Sequence, residues 1–247
     1  MNFKKKIIFS KNDFYFKPPK HLAIIMDGNG RWAERKKIER FNGHQRGLEL
    51  AKEIAIFCSR LGVSILTLYV FSTENWKRSK FEVENLMKIL LKFLKVEKEF
   101  LFENDISLNV IGQFYRLPLK IQNALNLVIN ETKINRKMQL NLALSYGGRN
   151  EISDMVIRLA RDVNSGLLDI KKITSGLISQ YLNTNGMADP DIIIRTGGQV
   201  RISNFLLWQL AYSEFFFSDT LWPDFREEEL MDILKNFANR KRKFGKI

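Results

Sequence analysis

The sequence predicts an α/β fold in which a central, mostly parallel sheet of six strands is covered by helices on both faces. Short apolar runs rich in β-branched and aromatic residues alternate with helical patterns along the chain, as expected for such a sheet. The 247 residues, 45% of them hydrophobic, suffice for one α/β domain with a substantial core. No internal repeat and no Gly/Ser-rich or Pro-rich linker divides the sequence, so we predict a loose arm at 1–17, ended by Pro18 and Pro19, and a single domain over 18–247.

Six apolar runs are predicted to be strands, and polar or glycine-containing segments follow several of them. They span residues 22–26, 63–71, 106–111, 139–145, 191–195 and 214–217. Ligands of parallel α/β sheets bind beyond the carboxyl ends of the strands. The polar residues that follow these runs are therefore the candidates for a functional site.

Helical patterns lie between the predicted strands. Residues 44–61 place apolar side chains on one face and stop at Gly62, which suits the position after a helix end. A serine followed three residues later by a glutamate, the capping-box pattern, opens a long helix over 79–103. That helix is apolar around much of its circumference, which fits a wall of an apolar channel and an ordinary core helix equally well. Asn150 is the candidate cap of another helix that runs to Ala160.

The chain carries a net charge of +13 and has a pI near 9.8. Nucleic acid, an anionic membrane face and phosphorylated small molecules are the partners that such a charge favours. A compositional bias toward Lys, Asn and Ile explains the excess equally well, since basic residues are concentrated only at Lys4–Lys6 and at 239–247. The single cysteine, Cys58, lies among apolar residues at helical spacing, so we predict a buried core thiol and no disulfide within the chain.

The apolar runs are shorter than the roughly 20 residues that a bilayer-spanning helix needs. The N-terminal sequence has lysines and three apolar residues, but it has neither the apolar core nor the small-residue cleavage site of a secretory signal. We therefore expect a cytoplasmic protein in a reducing compartment, with peripheral contact at the inner membrane face as the closest approach to a bilayer.

The segment after the first predicted strand carries the strongest candidate site. Asp27 is followed by Gly28, Asn29 and Gly30, and then by a helical start at 31–33 that contains Arg31 and Trp32. The glycines allow the backbone to approach a ligand closely, and the free N–H groups at a helix start bind anions. Asp27 at the strand end is placed to hold Mg²⁺ against phosphate oxygens. The alternative is a tight turn in which Asp27 caps the helix.

The same segment also fits the dinucleotide-binding fingerprint, G-x-G-x-x-A after a strand. Such a site needs an acidic residue about 20 positions further on, at the end of the next strand, whereas here the next strand ends near Phe71. Asp27 would also repel a pyrophosphate unless a metal ion intervened. A nicotinamide cofactor is therefore not expected.

A second polar cluster follows the second predicted strand. A hydroxyl, an amide, an indole and a guanidinium directly after a buried strand suit a ligand with a polar head and an apolar tail. The cluster consists of Ser72, Thr73, Glu74, Asn75, Trp76 and Arg78. A turn with the indole packed on the core is the simpler explanation when this segment is taken alone.

Two further residues, Arg40 and His44, lie near the start of the helix between the first two strands. Together with Arg31 and Arg78 they are expected to converge on one anion. The alternative for His44 is a structural or surface histidine, which the preceding glycine turn also fits.

A third polar cluster follows the fifth predicted strand. Arg195 and Arg201 flank a Gly-Gly turn, and Ile202 and Ser203 follow directly. Two guanidinium groups, a hydroxyl and free backbone N–H groups suit a second phosphate group, because guanidinium binds phosphate oxygens in a bidentate manner. A plain strand-turn-helix junction, in which Ser203 or Asn204 caps a helix over 205–212, is the alternative, but it does not need two arginines.

Glu214 opens the sixth predicted strand in an aromatic context, YSEFFF. It is a candidate second ligand for a metal ion. Taken alone, a lone carboxylate of this kind is more simply an ordinary, partly exposed acid.

Five ordered segments together resemble the cis-prenyltransferases, and the similarity runs from about residue 18 to 245. The segments are 21–33, 41–49, 71–78, 191–205 and 206–225. The resemblance implies a homodimer whose subunits have a parallel six-stranded sheet and a hydrophobic tunnel. It also implies an enzyme that condenses an allylic diphosphate, farnesyl diphosphate, with successive isopentenyl diphosphates in cis. The expected product is undecaprenyl diphosphate, the precursor of a lipid carrier for cell-wall synthesis.

The resemblance assigns a role to each candidate residue. Asp27 corresponds to the essential metal-binding and catalytic aspartate, Asn75 to the suggested proton acceptor, and Glu214 to a Mg²⁺ ligand. The allylic diphosphate site corresponds to Gly28, Asn29, Gly30, Arg31, Arg40, His44 and Arg78, with Trp32 beside it. The substrate pocket corresponds to Ser72, Thr73, Glu74 and Trp76, and the isopentenyl diphosphate site to Arg195, Arg201, Ile202 and Ser203.

Three positions depart from the family pattern. Gln199 stands where the family often has Glu, and Val200 where some members have a polar residue. The family often ends in Arg-x-Gly, which reaches the substrate site of the partner subunit, whereas here the triplet at 243–245 begins with Lys243. Lysine keeps the charge but loses the bidentate fork, so we expect weaker binding of isopentenyl diphosphate than an arginine would give.

The competing hypothesis is a basic module that binds nucleic acid or an acidic membrane surface, as the net charge and the tail at 239–247 suggest. It predicts binding that depends strongly on salt and has no need for Asp27. The enzyme hypothesis predicts Mg²⁺ as cofactor, no nucleic-acid partner, and only a transient contact with a membrane surface when the apolar product leaves.

Overall fold

The computed structural model describes residues 16–96 and 98–240. Most of the predicted N-terminal arm, the basic group Lys4–Lys6 and the triplet at 243–245 therefore lie outside the described residues. Among the described residues, no helix is both long and apolar enough to cross a membrane.

Six parallel strands form one sheet, which confirms the predicted fold class. The strands are β1 (His21–Ile25), β2 (Ile65–Ser72), β3 (Ile106–Ile111), β4 (Met138–Tyr146), β5 (Ile192–Arg195) and β6 (Glu214–Phe217). Their order in the sheet is β3-β4-β2-β1-β5-β6, and every neighbouring pair is parallel. Each lies within two residues of its predicted position, because buried β-branched runs mark such strands clearly.

Eight α-helices connect and cover these strands within the described ranges. They are α1 (Asn29–Arg35), α2 (Arg40–Leu61), α3 (Lys80–Val96), α4 (Glu99–Glu103), α5 (Leu119–Thr132), α6 (Gly148–Asn164), α7 (Ser175–Tyr181) and α8 (Glu227–Ala238). Gly62 ends α2 in the left-handed region, with φ 89°, as the sequence predicted. Helix α2 begins four residues earlier than predicted.

The predicted long helix over 79–103 is wrong, because the chain forms two helices, α3 and α4, in its place. A straight helix of that length would span about 37 Å, whereas the six residues of β3 span about 20 Å. The chain must turn back to enter β3. Phe100 and Leu101 of α4 are buried in the core at this turn.

Two predicted caps are also wrong. Helix α6 begins at Gly148 rather than after Asn150, because β4 continues to Tyr146 and leaves only one residue before the helix. The helix predicted over 205–212 is replaced by turns and a short 3₁₀ helix at Gln209–Tyr212. Ser203, Asn204 and Leu206 have φ values of 48°, 64° and 46°, which a right-handed helix does not allow.

The apolar core lies on both faces of the sheet. The larger cluster joins strand residues such as Leu22 and Leu66 to α2, α3, α5 and α8, and the smaller one joins Ile25 and Tyr146 to Phe205. Cys58 is fully buried in the larger cluster, as predicted, and its burial raises the pKa of the thiol. It is therefore a protonated core residue at neutral pH.

Candidate active site

The three predicted polar clusters meet at one edge of the sheet, beyond the carboxyl ends of β2, β1 and β5. These strands are neighbours in that order, so clusters distant in sequence come together around one cavity of about 650 Å³. The predicted residues that line it are Asp27, Asn29, His44, Ser72, Glu74, Asn75, Arg78, Arg195, Arg201 and Ser203. Apolar residues of β2, α2 and α3 form much of the remaining wall, among them Leu48, Phe71, Leu86 and Ile89.

The carboxylate of Asp27 lies between two guanidinium groups. Its Oδ2 accepts from Arg195 Nη2 at 2.8 Å, and its Oδ1 lies 3.3 Å from Arg31 Nη2. The backbone of Asp27 is held as well, because its N–H donates to Thr196 Oγ1 at 3.1 Å and its carbonyl accepts from the same hydroxyl at 2.8 Å. The carboxylate is therefore fixed in position while remaining partly exposed to the cavity.

The turn after Asp27 requires glycine. Gly28 has φ 117° and precedes the first residue of α1, and a Cβ there would lie 2.9 Å from the Cα of Leu221. No side chain caps α1, so the alternative in which Asp27 serves as the cap is wrong. The aspartate side chain lines the cavity instead, paired with Arg195 and Arg31.

Arg195 connects the first and third clusters. Its side chain is about 6% exposed, and its Nη1 donates to Ser203 Oγ at 2.6 Å and to the carbonyl of Arg201. Arg31 adds a second connection, because its Nη1 donates to the carbonyl of Gly197 at 2.7 Å. A Cβ at Gly197 would come within 2.6 Å of the Arg31 guanidinium, so this turn also depends on glycine.

Two buried polar atoms of the cavity have no hydrogen-bond partner among the described residues. They are Oδ1 of Asn29, an acceptor, and Nε of Arg195, a donor. Buried polar groups in proteins are nearly always paired. An unmatched acceptor and an unmatched donor near Asp27 therefore fit a site whose ligand supplies both a cation and an anion.

The structure divides the predicted convergence of Arg31, Arg40, His44 and Arg78 into two parts. Arg31 contacts Asp27 and Gly197, whereas Arg40 and Arg78 lie near His44. Arg40 donates to Glu34 at 2.6 Å and Arg78 to Glu82 at 2.9 Å, which limits the free positive charge there.

His44 is neutral in this environment. Burial, together with the nearby guanidinium groups of Arg78 and Arg40, lowers its pKa to about 4, although Glu82 opposes the change. A neutral imidazole at this position has one donating and one accepting nitrogen. It is suited to hydrogen bonding with a phosphate oxygen rather than to charge pairing.

The segment after β2 is held by hydrogen bonds within itself and by one from Asn204. Asn75 Oδ1 accepts from the N–H of Ser72 at 3.0 Å, which caps the short 3₁₀ helix Thr73–Lys77. Burial raises the pKa of Glu74, but hydrogen bonds from Asn204 and from its own segment outweigh that effect and lower it below its usual value. Glu74 is therefore an ionised acceptor, bonded to Asn204 Nδ2 at 2.8 Å.

Both tryptophans of the predicted site are held by hydrogen bonds outside the cavity lining. Trp76 packs edge-on against Phe71 and donates to Ser145 Oγ at 2.8 Å. Trp32 donates to Asp224 Oδ1 at 2.8 Å. Of the remaining predicted residues, those that the structure places behind or beside the lining are Gly28, Gly30, Arg31, Arg40, Thr73 and Ile202.

Glu214 does not lie beside Asp27 within one protomer. It is the first residue of β6, opposite Ile192, whereas Phe217 is opposite Arg195 at the site edge. Three residues of strand correspond to roughly 10 Å. The Glu214 carboxylate pairs instead with Arg240, at 2.5 Å.

Sequence reasoning missed several residues that shape the site. Thr196 is fully buried and holds the backbone of Asp27. Asn204 links three loops, because it bonds to Glu74 and to the backbone N–H groups of Gly148 and Arg149. Both residues lie inside the third predicted cluster, but only their partners reveal their roles.

The described residues contain no cluster of three or more His, Cys, Asp or Glu side chains that would hold a metal ion unaided. Mg²⁺, however, is commonly held by one or two carboxylates together with substrate phosphates and water. The single, fixed and partly exposed carboxylate of Asp27 fits that kind of site.

The chain is similar to known isoprenyl transferases over nearly its whole length. A family model described as "Putative undecaprenyl diphosphate synthase" matches residues 25–245. The isoprenyl transferase of Clostridium tetani is 48% identical over 229 residues, covering 93% of this chain and 90% of that protein. That of Geobacter sulfurreducens is 48% identical over 230 residues, covering 93% and 94%.

Solved structures show the same fold. Lavandulyl diphosphate synthase from Lavandula x intermedia, in complex with dimethylallyl diphosphate, matches with a TM-score of 0.90 and 38% identity, covering 93% of this chain and 99% of that one. A probable undecaprenyl diphosphate synthase from Campylobacter jejuni matches with a TM-score of 0.76 and 35% identity, covering 93% and 100%. The fold, the residues of the site and the similarity to these relatives together define the protein as an α/β transferase. The chain belongs to the undecaprenyl diphosphate synthase family of isoprenyl transferases, the cis-prenyltransferases, as the sequence predicted.

Proposed function

We propose that this enzyme condenses an allylic diphosphate, farnesyl diphosphate, with successive isopentenyl diphosphates to form a long-chain polyprenyl diphosphate, undecaprenyl diphosphate. The observation that carries the proposal is the cavity itself. A carboxylate held between two guanidinium groups lies at its polar end, and the side chains of α2, α3 and β2 make the rest of its wall largely apolar. Such a cavity suits a diphosphate head with a growing hydrocarbon tail.

The allylic diphosphate is proposed to bind beside Asp27, at the start of α1. Asn29, neutral His44 and Arg78 line this part of the cavity. Asp27 would hold Mg²⁺ against the diphosphate oxygens. When bound, the ion would neutralise the negative charge that makes diphosphate a poor leaving group.

The isopentenyl diphosphate is proposed to bind at Arg195, Arg201 and Ser203. Arg195 is almost fully buried, where the interaction of its charge with a phosphate is strong. Because Arg195 also contacts Asp27 at 2.8 Å, the two diphosphates would lie next to each other. That arrangement brings the double bond of one substrate near C1 of the other.

The condensation requires loss of a proton from C2 of the isopentenyl unit as the new C–C bond forms and the allylic C1–O bond breaks. Asn75 is an amide and a weak base, and its Oδ1 already accepts from Ser72. We therefore propose that Asn75 positions the reacting groups and that a diphosphate oxygen takes the proton.

The growing chain is proposed to follow an apolar tunnel between α2 and α3. A second cavity of about 510 Å³ is lined by residues of these two helices, and it shares the lining residues Leu48 and Ile89 with the first cavity. Phe41, Ile56 and Phe93 line its apolar part. Each added isoprene unit gains roughly 3 to 4 kcal/mol from burial at about 0.8 kcal/mol per carbon, so the product would stay inside.

A homodimer is proposed on the basis of the edge strand β6. Phe215 and Phe217 are 39% and 41% exposed there, and their stacked rings lie 6.3 Å apart. Tyr212, just before the strand, is 70% exposed. An exposed apolar edge strand is a ready surface for a second copy.

Transient contact with a membrane surface is proposed at two exposed apolar side chains, one between α1 and α2 and one at the start of α3. Ile38 and Phe81 are 41% and 75% exposed, and the exposed lysines Lys36, Lys37 and Lys80 lie next to them in sequence. Apolar side chains within a basic surface suit an anionic bilayer.

A vesicle-binding assay tests this contact. Vesicles with anionic lipid should retain the protein at low salt and should retain less of it when Phe81 is changed to Glu. Equal retention of the Phe81→Glu variant would contradict the proposed contact.

The decisive experiment is turnover of radiolabelled isopentenyl diphosphate with farnesyl diphosphate and Mg²⁺. We expect a butanol-extractable product whose chain length identifies it, and loss of at least about a hundredfold in kcat for Asp27→Ala, as for removal of a key electrostatic group. The exposed Asp232→Ala on α8 serves as the control. No product from the wild type, with Asp27→Ala indistinguishable from it, would favour the basic binding module.

A further inference from the structure

The turn that carries Ser203 has a backbone conformation that few residues adopt. Ser203 and Asn204 have φ values of 48° and 64°, in the left-handed region, which is unfavourable for residues with a Cβ. Arg195 Nη1 donates to Ser203 Oγ at 2.6 Å, so this turn places the hydroxyl at the proposed isopentenyl diphosphate site. Contacts with the rest of the molecule must therefore hold the turn.

Asn204 makes three hydrogen bonds that can do so. Its backbone carbonyl accepts from the N–H of Gly148 at 2.6 Å, and its Oδ1 accepts from the N–H of Arg149 at 2.8 Å. Its Nδ2 donates to Glu74 Oε1 at 2.8 Å. Gly148 and Arg149 begin α6 after β4, while Glu74 follows β2. One residue therefore connects the segments that follow β5, β4 and β2.

Asn204 also takes the place of a local cap for α6. Gly147 stands at the N-cap position of this helix and has no side chain that could accept a hydrogen bond, although the first N–H groups of a helix need acceptors from outside it. The two oxygens of Asn204 satisfy the first two of these groups. A Cβ at Gly147 would lie 2.7 Å from Asn204 Nδ2 and 2.5 Å from Thr73 Oγ1. The glycine thus leaves room for the amide.

The two ends of the Asn204 amide cannot be exchanged. Oδ1 faces a backbone N–H, which needs an acceptor, and Nδ2 faces the ionised carboxylate of Glu74, which needs a donor. Aspartate has the same shape and would keep the first contact, but it would set a second carboxylate against Glu74. The position therefore requires an asparagine rather than any short polar residue.

We infer that Asn204 is a positioning residue for the isopentenyl diphosphate site, which holds Ser203 in place by donating to Glu74. The inference rests on the proposed function, in which Ser203 binds that diphosphate. Asn204 and Glu74 both line the cavity, so their contact sets how the segments after β5 and β2 approach each other there. Loss of the contact should weaken the binding of isopentenyl diphosphate more than that of the allylic substrate, whose proposed site lies at Asp27 and the start of α1.

The test compares Asn204→Asp, Asn204→Ala, Glu74→Gln, and the double variant Asn204→Asp with Glu74→Gln. In the double variant the hydrogen bond is reversed, because the new glutamine amide can donate to the new aspartate. Asn236→Asp, the same change at an exposed position on α8, is the matched control. Each variant is measured for the KM of isopentenyl diphosphate, the KM of farnesyl diphosphate, kcat, and the midpoint of thermal unfolding.

We expect Asn204→Asp to raise the KM of isopentenyl diphosphate by about three- to tenfold, the scale of a lost hydrogen bond to a charged group, with the KM of farnesyl diphosphate and kcat changed less than about twofold. When Glu74→Gln is already present, the same change should raise that KM by less than about twofold, because the two residues act as a pair. Asn204→Ala, which also removes an acceptor from the start of α6, should raise the KM at least as much and lower the midpoint of unfolding. Asn236→Asp should behave like the wild type.

Three outcomes would overturn the inference. The first is an Asn204→Asp variant with the KM values of the wild type. The second is an equal rise in both KM values, which would indicate a general distortion of the cavity. The third is the same loss with and without Glu74→Gln, which would show that Asn204 does not act through Glu74.

The failure of the proposed function would look different. A wild type that forms no prenyl product removes that function, while the midpoints of thermal unfolding still report whether Asn204 and Glu74 act as a pair. Shifts in those midpoints that simply add in the double variant would then reject the contact itself.

Discussion

His21 is fully buried at the start of β1, and its two ring nitrogens have different partners. Nδ1 lies 2.6 Å from the carbonyl of Ala188, so it must carry a proton and donate. Nε2 then accepts from the hydroxyl of Thr67 at 2.7 Å, and that hydroxyl accepts in turn from Asn141. Protonation of Nε2 would leave the Thr67 hydroxyl hydrogen without its acceptor.

Burial lowers the pKa of His21 to about 4, although the Ala188 carbonyl and Asp191 oppose the change. The unfolded chain therefore binds more protons than the folded one between about pH 6.5 and 4. His21 contributes stability that is complete above pH 6.5 and is lost as the pH falls to 4. The loss is about 3 kcal/mol for a shift of this size.

We predict that the free energy of unfolding falls steeply from pH 6.5 to 4 and that His21→Gln flattens part of this fall. Urea unfolding at several pH values measures how the free energy of unfolding depends on pH in each variant. His44→Gln is the comparison. The pKa of His44 is also lowered, to about 4, so protonation of His44 accounts for a separate part of the fall in the free energy of unfolding. If the free energy of unfolding of His21→Gln fell with pH as steeply as that of the wild type, this part of the fall could not be due to His21.

At the scale of the elements, the proposed function makes α2 and α3 the helices that limit the length of the product. Leu48 of α2 and Ile89 of α3 line both cavities, so the two cavities adjoin at these side chains. If the growing product follows the proposed route between them, a larger side chain at either position would block it.

We predict that Leu48→Trp shortens the product while leaving the first condensation largely intact, because the site around Asp27 is unchanged. Thin-layer or mass analysis of the extracted products measures the chain length. The same substitution at Leu127, which is 55% exposed on α5, should leave the length unchanged. Full-length product from Leu48→Trp would show that the chain takes another route.

At the scale of the whole molecule, the β6 edge leaves Phe215 and Phe217 partly exposed in one protomer. We predict that changing both to Lys converts a dimer into a monomer, because charges on an edge strand oppose pairing with a second copy. Light scattering after size exclusion measures the mass. Phe81→Lys, at an equally apolar but separate site on α3, should remain dimeric, and a dimeric β6 variant would place the interface elsewhere.

Most of the fold, and the edge of the sheet at which the polar clusters meet, could be predicted from the sequence. The strands and the Gly62 helix end depend on local signals, namely composition, period and glycine. The splitting of the 79–103 helix and the loss of the helix at 205–212 could not be predicted, because they depend on sheet dimensions and on left-handed turns at residues such as Asn204.

The sequence by itself determined that three polar clusters follow parallel strands and therefore share one edge of a sheet. Only the tertiary structure decided which partners they meet there. Strand order sets β5 beside β1, which brings Thr196 and Arg195 to Asp27 across nearly 170 residues. Burial then set the charge state of His44, and the register of β6 placed Glu214 against Arg240 rather than beside Asp27. Long-range contacts and desolvation are properties of the packed molecule, and no local pattern encodes them.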